Sequence, residues 1–459
     1  MKKQHRALVL QGGGALGAYQ AGVLKILCKR LIEKDKKKAD SNSEYDYDDK
    51  PLLFDIIAGT SIGAMNGAVL LSQYLKTGSW ECAADQLEQF WTDKKNGLAS
   101  TVSEEDLKDK EVGWEEWRKH KGTSGKASAE AARRYYSVKH YFFKGAPKVQ
   151  EPVKDFPKRD SRYFDNLLNI WYLHKPDRLE KTILKFALRK ITTSHEKNQP
   201  RLLVFSVDAA EGKTVTFDSY SKTDSSRKSG VEIDNVMASG TLPEFCDYKK
   251  IGGRKFWDGG LLSNTPFREL LQAHQQYWMD VTSHTKEGDN NIHIPDLEVY
   301  IINLHPAKRK VLPTEHDGVK DRQNDIIFGD RSSHYDEQMA YLVEDLKDFA
   351  TQMKKLSREA ISEVRKESDK KRLKKIFDDI LKTRTTTASK GFNVKSSSTY
   401  GTLLKGQYKL TKVVRIERTE RKKGYYTDTI YGKAGDFTAK TIDGLIREGR
   451  RDATDASLA

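Results

Sequence analysis

Two short stretches constrain this chain more than any others. Each is an apolar run that ends on glycines and passes straight into a helix-forming segment. Arg6-Ala-Leu-Val-Leu10 leads into Gln11-Gly-Gly-Gly14, after which Tyr19, Val23, Leu24 and Leu27 recur at helical spacing. Leu52-Leu-Phe-Asp-Ile-Ile-Ala58 leads through Gly59-Thr-Ser61-Ile-Gly63 into a small-residue helix from Ala64 to Leu75. A strand, turn and helix repeated in this way bury their apolar strands in a mostly parallel sheet with helices on its faces. Leu202–Val207, with a hairpin partner at Thr214–Phe217, and Leu297–Leu304 add further strands. The expected fold is α/β, a three-layer α/β/α core.

Composition decides what surrounds that core. At 459 residues the chain has room for two or three domains, or one large domain with an appendage. With 37% hydrophobic and 32% charged residues it is too polar for a membrane-spanning bundle, while 10% aromatics and 32 glycines argue against global disorder. The polarity is concentrated. Residues 33–50 read as a charged loop and about 100–200 as a polar, mainly helical insertion, in which 133–164 interleave nine Lys/Arg with eight aromatics. Those aromatics fit either a lipid entrance or anchorage of the insertion to the core. Residues 1–305 therefore form the expected main domain, 306–330 a polar linker, and 331–459 a basic helix-plus-strand region. In that last region strands are expected near Lys412–Glu420 and Tyr425–Tyr431, and a final helix after Thr438.

Three segments carry chemistry. Gly12-Gly13-Gly14-Ala-Leu-Gly17 fits the loose G-x-G-x-x-G pattern, yet the acidic residue that a dinucleotide site wants on a following strand falls in the lysine-rich 33–50 stretch. The other reading is an oxyanion hole, with unhindered backbone N–H groups at a helix start. Gly59-Thr-Ser61-Ile-Gly63 is a G-x-S-x-G elbow between strand and helix, where the glycines admit a sharp turn and leave the Ser61 hydroxyl exposed. Trp257-Asp258-Gly259-Gly260 ends a short hairpin-like element, and alone it would be a turn former. Beside Ser61 it supplies the base that a serine hydroxyl needs to become a nucleophile.

In this order the motifs resemble the patatin-like phospholipase family, over roughly residues 5–305. Gly12–Gly17 corresponds to its glycine-rich oxyanion loop, Gly59–Gly63 to its elbow, and Asp258-Gly259-Gly260 to its catalytic Asp motif. Ala238-Ser-Gly-Thr-Leu-Pro243 looks like the family's Ala-Ser-x-x-x-Pro turn, and Asn264-Thr-Pro266 sits where an Asn-x-Pro segment is common. The stretch from Asp325 to Arg331, and Asp436-Phe-Thr, look similar to the C-terminal extension of some prokaryotic members. The resemblance implies a patatin-type core that hydrolyses phospholipid or related lipid esters through a Ser61–Asp258 dyad. The Gly12, Gly13 and Gly14 region would serve as the oxyanion hole, and neither metal nor cofactor would be needed. It leaves the proton donor for the leaving group unassigned, because an ordinary carboxyl is a poor proton store at neutral pH.

Other readings stand beside this one. Ser61, Asp258 and His305 also fall in the chain order of an α/β-hydrolase triad. A non-catalytic regulatory protein on a patatin core, held at a membrane or partner, is the alternative function, and a dinucleotide-dependent enzyme comes third. Residues 382–440 hold fourteen Lys/Arg against four Asp/Glu, which is +10 of the chain's +15. Such a run suits an anionic membrane surface or an ordinary solvated face, and no motif for specific nucleic-acid reading accompanies it. Tyr335, Met339, Leu342, Leu346, Phe349, Met353 and Leu356 alternate at spacings of four and three, a heptad seam. That seam is read as a helix packed within its own chain, with a homodimer as the sharper alternative. Cys28, Cys82 and Cys246 make neither a disulfide framework nor a zinc motif. The N-terminal apolar run is interrupted by Gln11, Tyr19 and Gln20, and residues 52–71 by Asp55, Thr60, Ser61 and Asn66, so neither reads as a signal peptide or a span. The expected location is cytoplasmic, with peripheral membrane attachment through the basic C-terminus.

Overall fold

The computed structural model describes residues 4–41, 52–99, 137, 141, 148–149, 151–152, 172–220, 230–243, 245–283, 294–309, 312, 316–330, 332–382, 408–419 and 433–457. Eight strands form the main sheet: β1 (Gln4–Leu10), β2 (Ile56–Thr60), β3 (Arg201–Asp208), β4 (Lys213–Asp218), β5 (Lys249–Ile251), β6 (Arg254–Asp258), β7 (Asp296–Asn303) and β8 (Leu410–Glu417). Their order is β8-β7-β1-β2-β3-β6-β5, with β4 also on β3. The sheet is mostly parallel and flanked by helices, a patatin-type α/β/α core. β1 and β2 run parallel with Leu10 opposite Gly59, and β2 runs parallel to β3 with Thr60 opposite Phe205. All eight residues of β3 are buried, as expected of a strand covered on both faces.

Glycine turns lead from β1 and β2 into α1 (Gly17–Ser41) and α2 (Ile62–Thr77). Twelve of the sixteen residues of α2 are buried, which explains its small-residue composition. Next come α3 (Trp80–Thr92), α4 (Asp177–Ile183), α5 (Ile233–Ser239), α6 (Phe267–Ser283), α7 (His316–Phe328), α8 (Ser333–Glu363), α9 (Glu367–Lys382) and α10 (Ala439–Asp455). The last helix crosses α1 at very short range. A Cβ on Gly449 would lie 2.2 Å from the Tyr19 carbonyl oxygen, and one on Gly22 would lie 2.1 Å from that of Ile446. Arg30 of α1 also donates to the carbonyls of Ala453 and Ala456 at 2.6 and 2.8 Å, satisfying groups at the C-terminal end of α10. Cys28 and Cys246 are buried free thiols whose pKa values burial pushes up to about 12.

Several elements differ from the sequence reading. The charged stretch from Glu33 is helical as far as Ser41, the end of α1; the rest of the expected loop falls outside the described residues. Most of 100–171 also lies outside them, as do the expected strand at 425–431 and the Lys422–Gly424 turn. From 172 to 199 the only α-helix is the seven-residue α4. The 306–330 segment is not simply a linker, because it contains α7, on which Asp321 and Asp325 are buried.

Compactness divides the chain into two units that interleave along the sequence. One comprises Met1–His5, Arg268–Glu298 and Ser332–Lys412; the other comprises Arg6–Phe267, Val299–Arg331 and Val413–Ala459. The expected boundary at 305 separates neither, the one at 331 falls where the chain passes from the second unit to the first, and α10 belongs to the unit that holds the glycine turns. In the first unit His5 packs against Trp278, with ring centroids 5.6 Å apart, and Lys409 pairs with Glu344 at 3.3 Å. Among the described residues the heptad seam of α8 is left open: Tyr335 is 74% exposed, Phe349 64% and Leu346 57%.

Candidate active site

All the motif residues lie in the second unit, and the sheet explains how two of them meet. β4 occupies one edge of β3, so β2 and β6 share the other, end to end. β2 stops where Thr60 faces Phe205, and the antiparallel β6 ends where Asp258 faces the next residue, Ser206. Ser61, the first residue beyond β2, and Asp258, the last of β6, are thereby brought together although 197 positions separate them. The Ser61 hydroxyl is close enough to the Asp258 carboxylate to act on its pKa.

The turn at Ser61 is sharp. Its φ of 55° is one of only two positive values among the described non-glycine residues, a conformation that costs roughly 1–3 kcal/mol and persists where the surroundings enforce it. Two neighbours enforce it. The Ser61 N–H donates to Ser239 Oγ at 2.8 Å, and Ser239 Oγ in turn donates to the Phe205 carbonyl at 2.6 Å. Gly59 and Gly63 press so closely that a Cβ on Gly59 would lie 2.5 Å from the Gly63 carbonyl carbon.

Asp258 is 2% exposed, and its carboxylate accepts the Gly260 N–H at 2.7 Å. Burial pushes its pKa up to about 7, against the lowering effect of Ser61 and Gly260. Gly259 lies over β3, where a Cβ would come 2.4 Å from the Phe205 carbonyl oxygen.

The glycine loop lies against the nucleophile, since a Cβ built on Gly12 would be 3.0 Å from that of Ser61. The three glycines are not equivalent. The Gly12 N–H donates to the Asn264 carbonyl at 3.1 Å, which removes Gly12 from the expected set of oxyanion donors. Among the described residues nothing accepts the Gly13 or Gly14 N–H, and Gly14 takes a left-handed φ of +54°. Asn264 Nδ2 also donates to the Gly12 carbonyl at 3.1 Å, so the Asn-Thr-Pro segment grips the loop from both sides of one residue.

Behind the loop lies a buried polar network in which sequence reasoning assigned no role. Gln11 Nε2 donates to Thr265 at 2.7 Å, and Gln11 Oε1 accepts the N–H groups of Leu304 and His305 at 2.6 and 3.0 Å. Asn66 Nδ2 donates to Gln20 at 2.8 Å, and Asn66 Oδ1 accepts the Trp91 indole N–H at 3.0 Å. The only sequence signal for these residues was their position as polar interruptions of apolar runs. His305, the candidate third member of a triad, has its Nδ1 3.3 Å from Asp325. Its carboxylate partner is therefore Asp325 rather than Asp258. Among the described residues no group of three or more His, Cys, Asp or Glu side chains is arranged to hold a metal.

The fold and this geometry define a class: an α/β protein with a strained serine elbow beside a buried aspartate and a glycine loop. The patatin-like phospholipase family model matches residues 8–271, more than half of the sequence, and the chain belongs to that family. No curated protein matches it. The crystal structure of VipD from Legionella pneumophila aligns over 98% of this chain and 66% of its own, at 14% identity and a TM-score of 0.33. The present chain thus spans just under two thirds of that one, and so loose a superposition carries no argument.

Proposed function

We propose that this chain is a serine acyl hydrolase that cleaves ester bonds of phospholipids or related lipids through Ser61 and Asp258. One observation carries the reading: the register of β3 brings a serine at a strained elbow beside a buried carboxylate whose pKa is raised to about 7. Asp258 accepts the Ser61 proton as Oγ bonds to the ester carbonyl carbon. The N–H groups of Gly13 and Gly14 hold the oxyanion. As the tetrahedral intermediate collapses, the C–O bond to the leaving alkoxide breaks and Asp258 returns its proton to that oxygen. Water then attacks the acyl-enzyme, again passing a proton to Asp258, and Ser61 recovers it as the fatty acid leaves. The raised pKa supplies the acid that sequence left unassigned, because a group titrating near neutrality both takes and gives a proton.

The surroundings support an apolar acyl substrate. Leu261 and Leu262, directly after the Asp258-Gly-Gly motif, are 43% and 56% exposed. Leu242, also exposed, follows Thr241, whose carbonyl accepts the Asp258 N–H at 2.7 Å. Release of p-nitrophenol from short- and long-chain acyl esters by wild type and Ser61→Ala tests the proposal. Loss of turnover in the variant, with a preference for long chains in wild type, is the expected result. Equal rates for the two proteins would sink it.

A further inference from the structure

We propose that His305, held by Asp325 of α7, is a positioning residue that sets the aim of the glycine loop from the side of Gly13. The inference rests on the reading of Gly13 and Gly14 as oxyanion donors. His305, Arg309, Asp321, Asp325 and Phe328 all lie beyond the stretch matched by the family model, which ends at 271.

A Cβ placed on Gly13 would come 3.3 Å from His305 Nε2 and 2.9 Å from Leu304 Cδ1, so the edge of the imidazole ring backs the loop there. The opposite ring nitrogen, Nδ1, meets Asp325 Oδ1 at 3.3 Å. A carboxylate at Nδ1 favours the proton on that nitrogen and fixes the plane of the ring. Asp325 is itself fixed, because its second oxygen accepts from Arg309 Nη2 at 3.0 Å, and that same nitrogen donates to Asp321. His305, Asp321, Asp325 and the Arg309 side chain are all at least nine-tenths buried. Burying two carboxylates and a guanidinium carries a large desolvation cost, which a purely apolar packing would avoid.

The same helix reaches the loop a second time. Asn264 Nδ2 donates both to the Phe328 carbonyl, at the C-terminal end of α7, and to the Gly12 carbonyl, at 2.6 and 3.1 Å. The His305 N–H adds a third tie through Gln11, the residue that precedes the loop. Gly12 and Gly13 are therefore each referenced to α7, through Asn264 and through His305. A donor displaced by a fraction of an ångström from the oxyanion position loses most of its effect in the transition state, yet scarcely alters binding of the ester.

The test compares wild type, His305→Ala and His305→Gln in the full chain, using p-nitrophenyl ester turnover and amide hydrogen exchange over residues 11–17. His305→Ala is expected to lower kcat at least tenfold with KM within twofold, and to speed exchange of the loop amides while those of α2 keep their rate. His305→Gln, whose amide nitrogen reaches the place of Nε2, is expected to recover most of both. Unchanged kcat and unchanged loop exchange in His305→Ala overturn the proposal, as does a loss that tracks thermal stability and moves KM equally. Should His305→Ala fail to fold, Asp325→Asn takes its place with the same two readouts and outcomes. If wild type does not hydrolyse esters, the hydrolase reading fails, and the exchange measurement alone decides whether His305 orders the loop.

Discussion

In the proposed mechanism Asp258 couples catalysis and stability through one titration. Its carboxyl titrates near 7 in the folded protein because burial disfavours the charged form, whereas an unfolded chain returns it to the ordinary range near 4. A carboxyl raised on folding contributes most stability below about pH 4 and loses that contribution as pH rises through about 7. Three pKa units correspond to at most about 4 kcal/mol. Asp258→Asn removes the charge while keeping an acceptor for Gly260, so the variant is expected to be more stable than wild type at pH 8, by a margin that vanishes at pH 4. Urea midpoints at the two pH values measure this. The proposed reaction requires the opposite protonation state, so wild-type kcat/KM is expected to fall about tenfold per pH unit below 7. Ser61 shows the same tension in its backbone. Replacing it with glycine frees a φ of 55° that L-residues resist, and should stabilise the protein by about 1 kcal/mol. Ser61→Ala, which keeps the Cβ, should not, and a denaturation series of the two variants separates strain from the loss of the hydroxyl.

At the scale of elements, what could be read from the sequence follows from which forces write a local pattern. The elbow and the Asp motif were legible because each ends a strand on glycines, and the register of β3 then joins them. The Gly12 amide was not, since its acceptor Asn264 lies 252 positions away and leaves no mark near the loop. The apolar run at 52–58 misplaced β2, which occupies Ile56–Thr60, because Leu52, Leu53 and Phe54 are buried before the strand begins. Helix α7 was hidden for a sharper reason. Its inward positions are the aspartates 321 and 325, one turn apart, so burial against Arg309 and His305 inverts the hydrophobic periodicity by which helices are recognised. The seam of α8 was legible as a helix, but among the described residues it is left open. Its spacings alternate four and three, the a/d repeat by which two identical helices pair in a coiled coil. Such a pair predicts a dimer in sedimentation that Leu346→Glu with Phe349→Glu converts to monomer. Both side chains are exposed, so the thermal midpoint of the monomer should be unaffected; a monomeric wild type removes the expectation.

Across the whole molecule, excess positive charge and packed structure are interleaved. Residues 382–440 supply two thirds of the net charge, yet α10 beyond them is built into the glycine-loop unit by its close crossing with α1. Removing everything after residue 381 would therefore destroy core contacts together with the charge, and any loss of membrane binding would be uninterpretable. The charge itself is the variable to change. Among the described residues no helix is long and apolar enough to cross a membrane. Each basic residue held near an anionic membrane surface is worth about 1 kcal/mol. Replacing Arg421, Lys422 and Lys423 with glutamine should then lower retention on vesicles containing phosphatidylserine by up to roughly a hundredfold at low salt. At 1 M salt, where screening shortens the reach of charge to about 3 Å, wild type and variant should bind equally weakly. Ester turnover on soluble substrates should be unchanged, which separates where the protein is held from what Ser61 does. Equal retention of wild type and variant at low salt would show that this basic run is an ordinary solvated face.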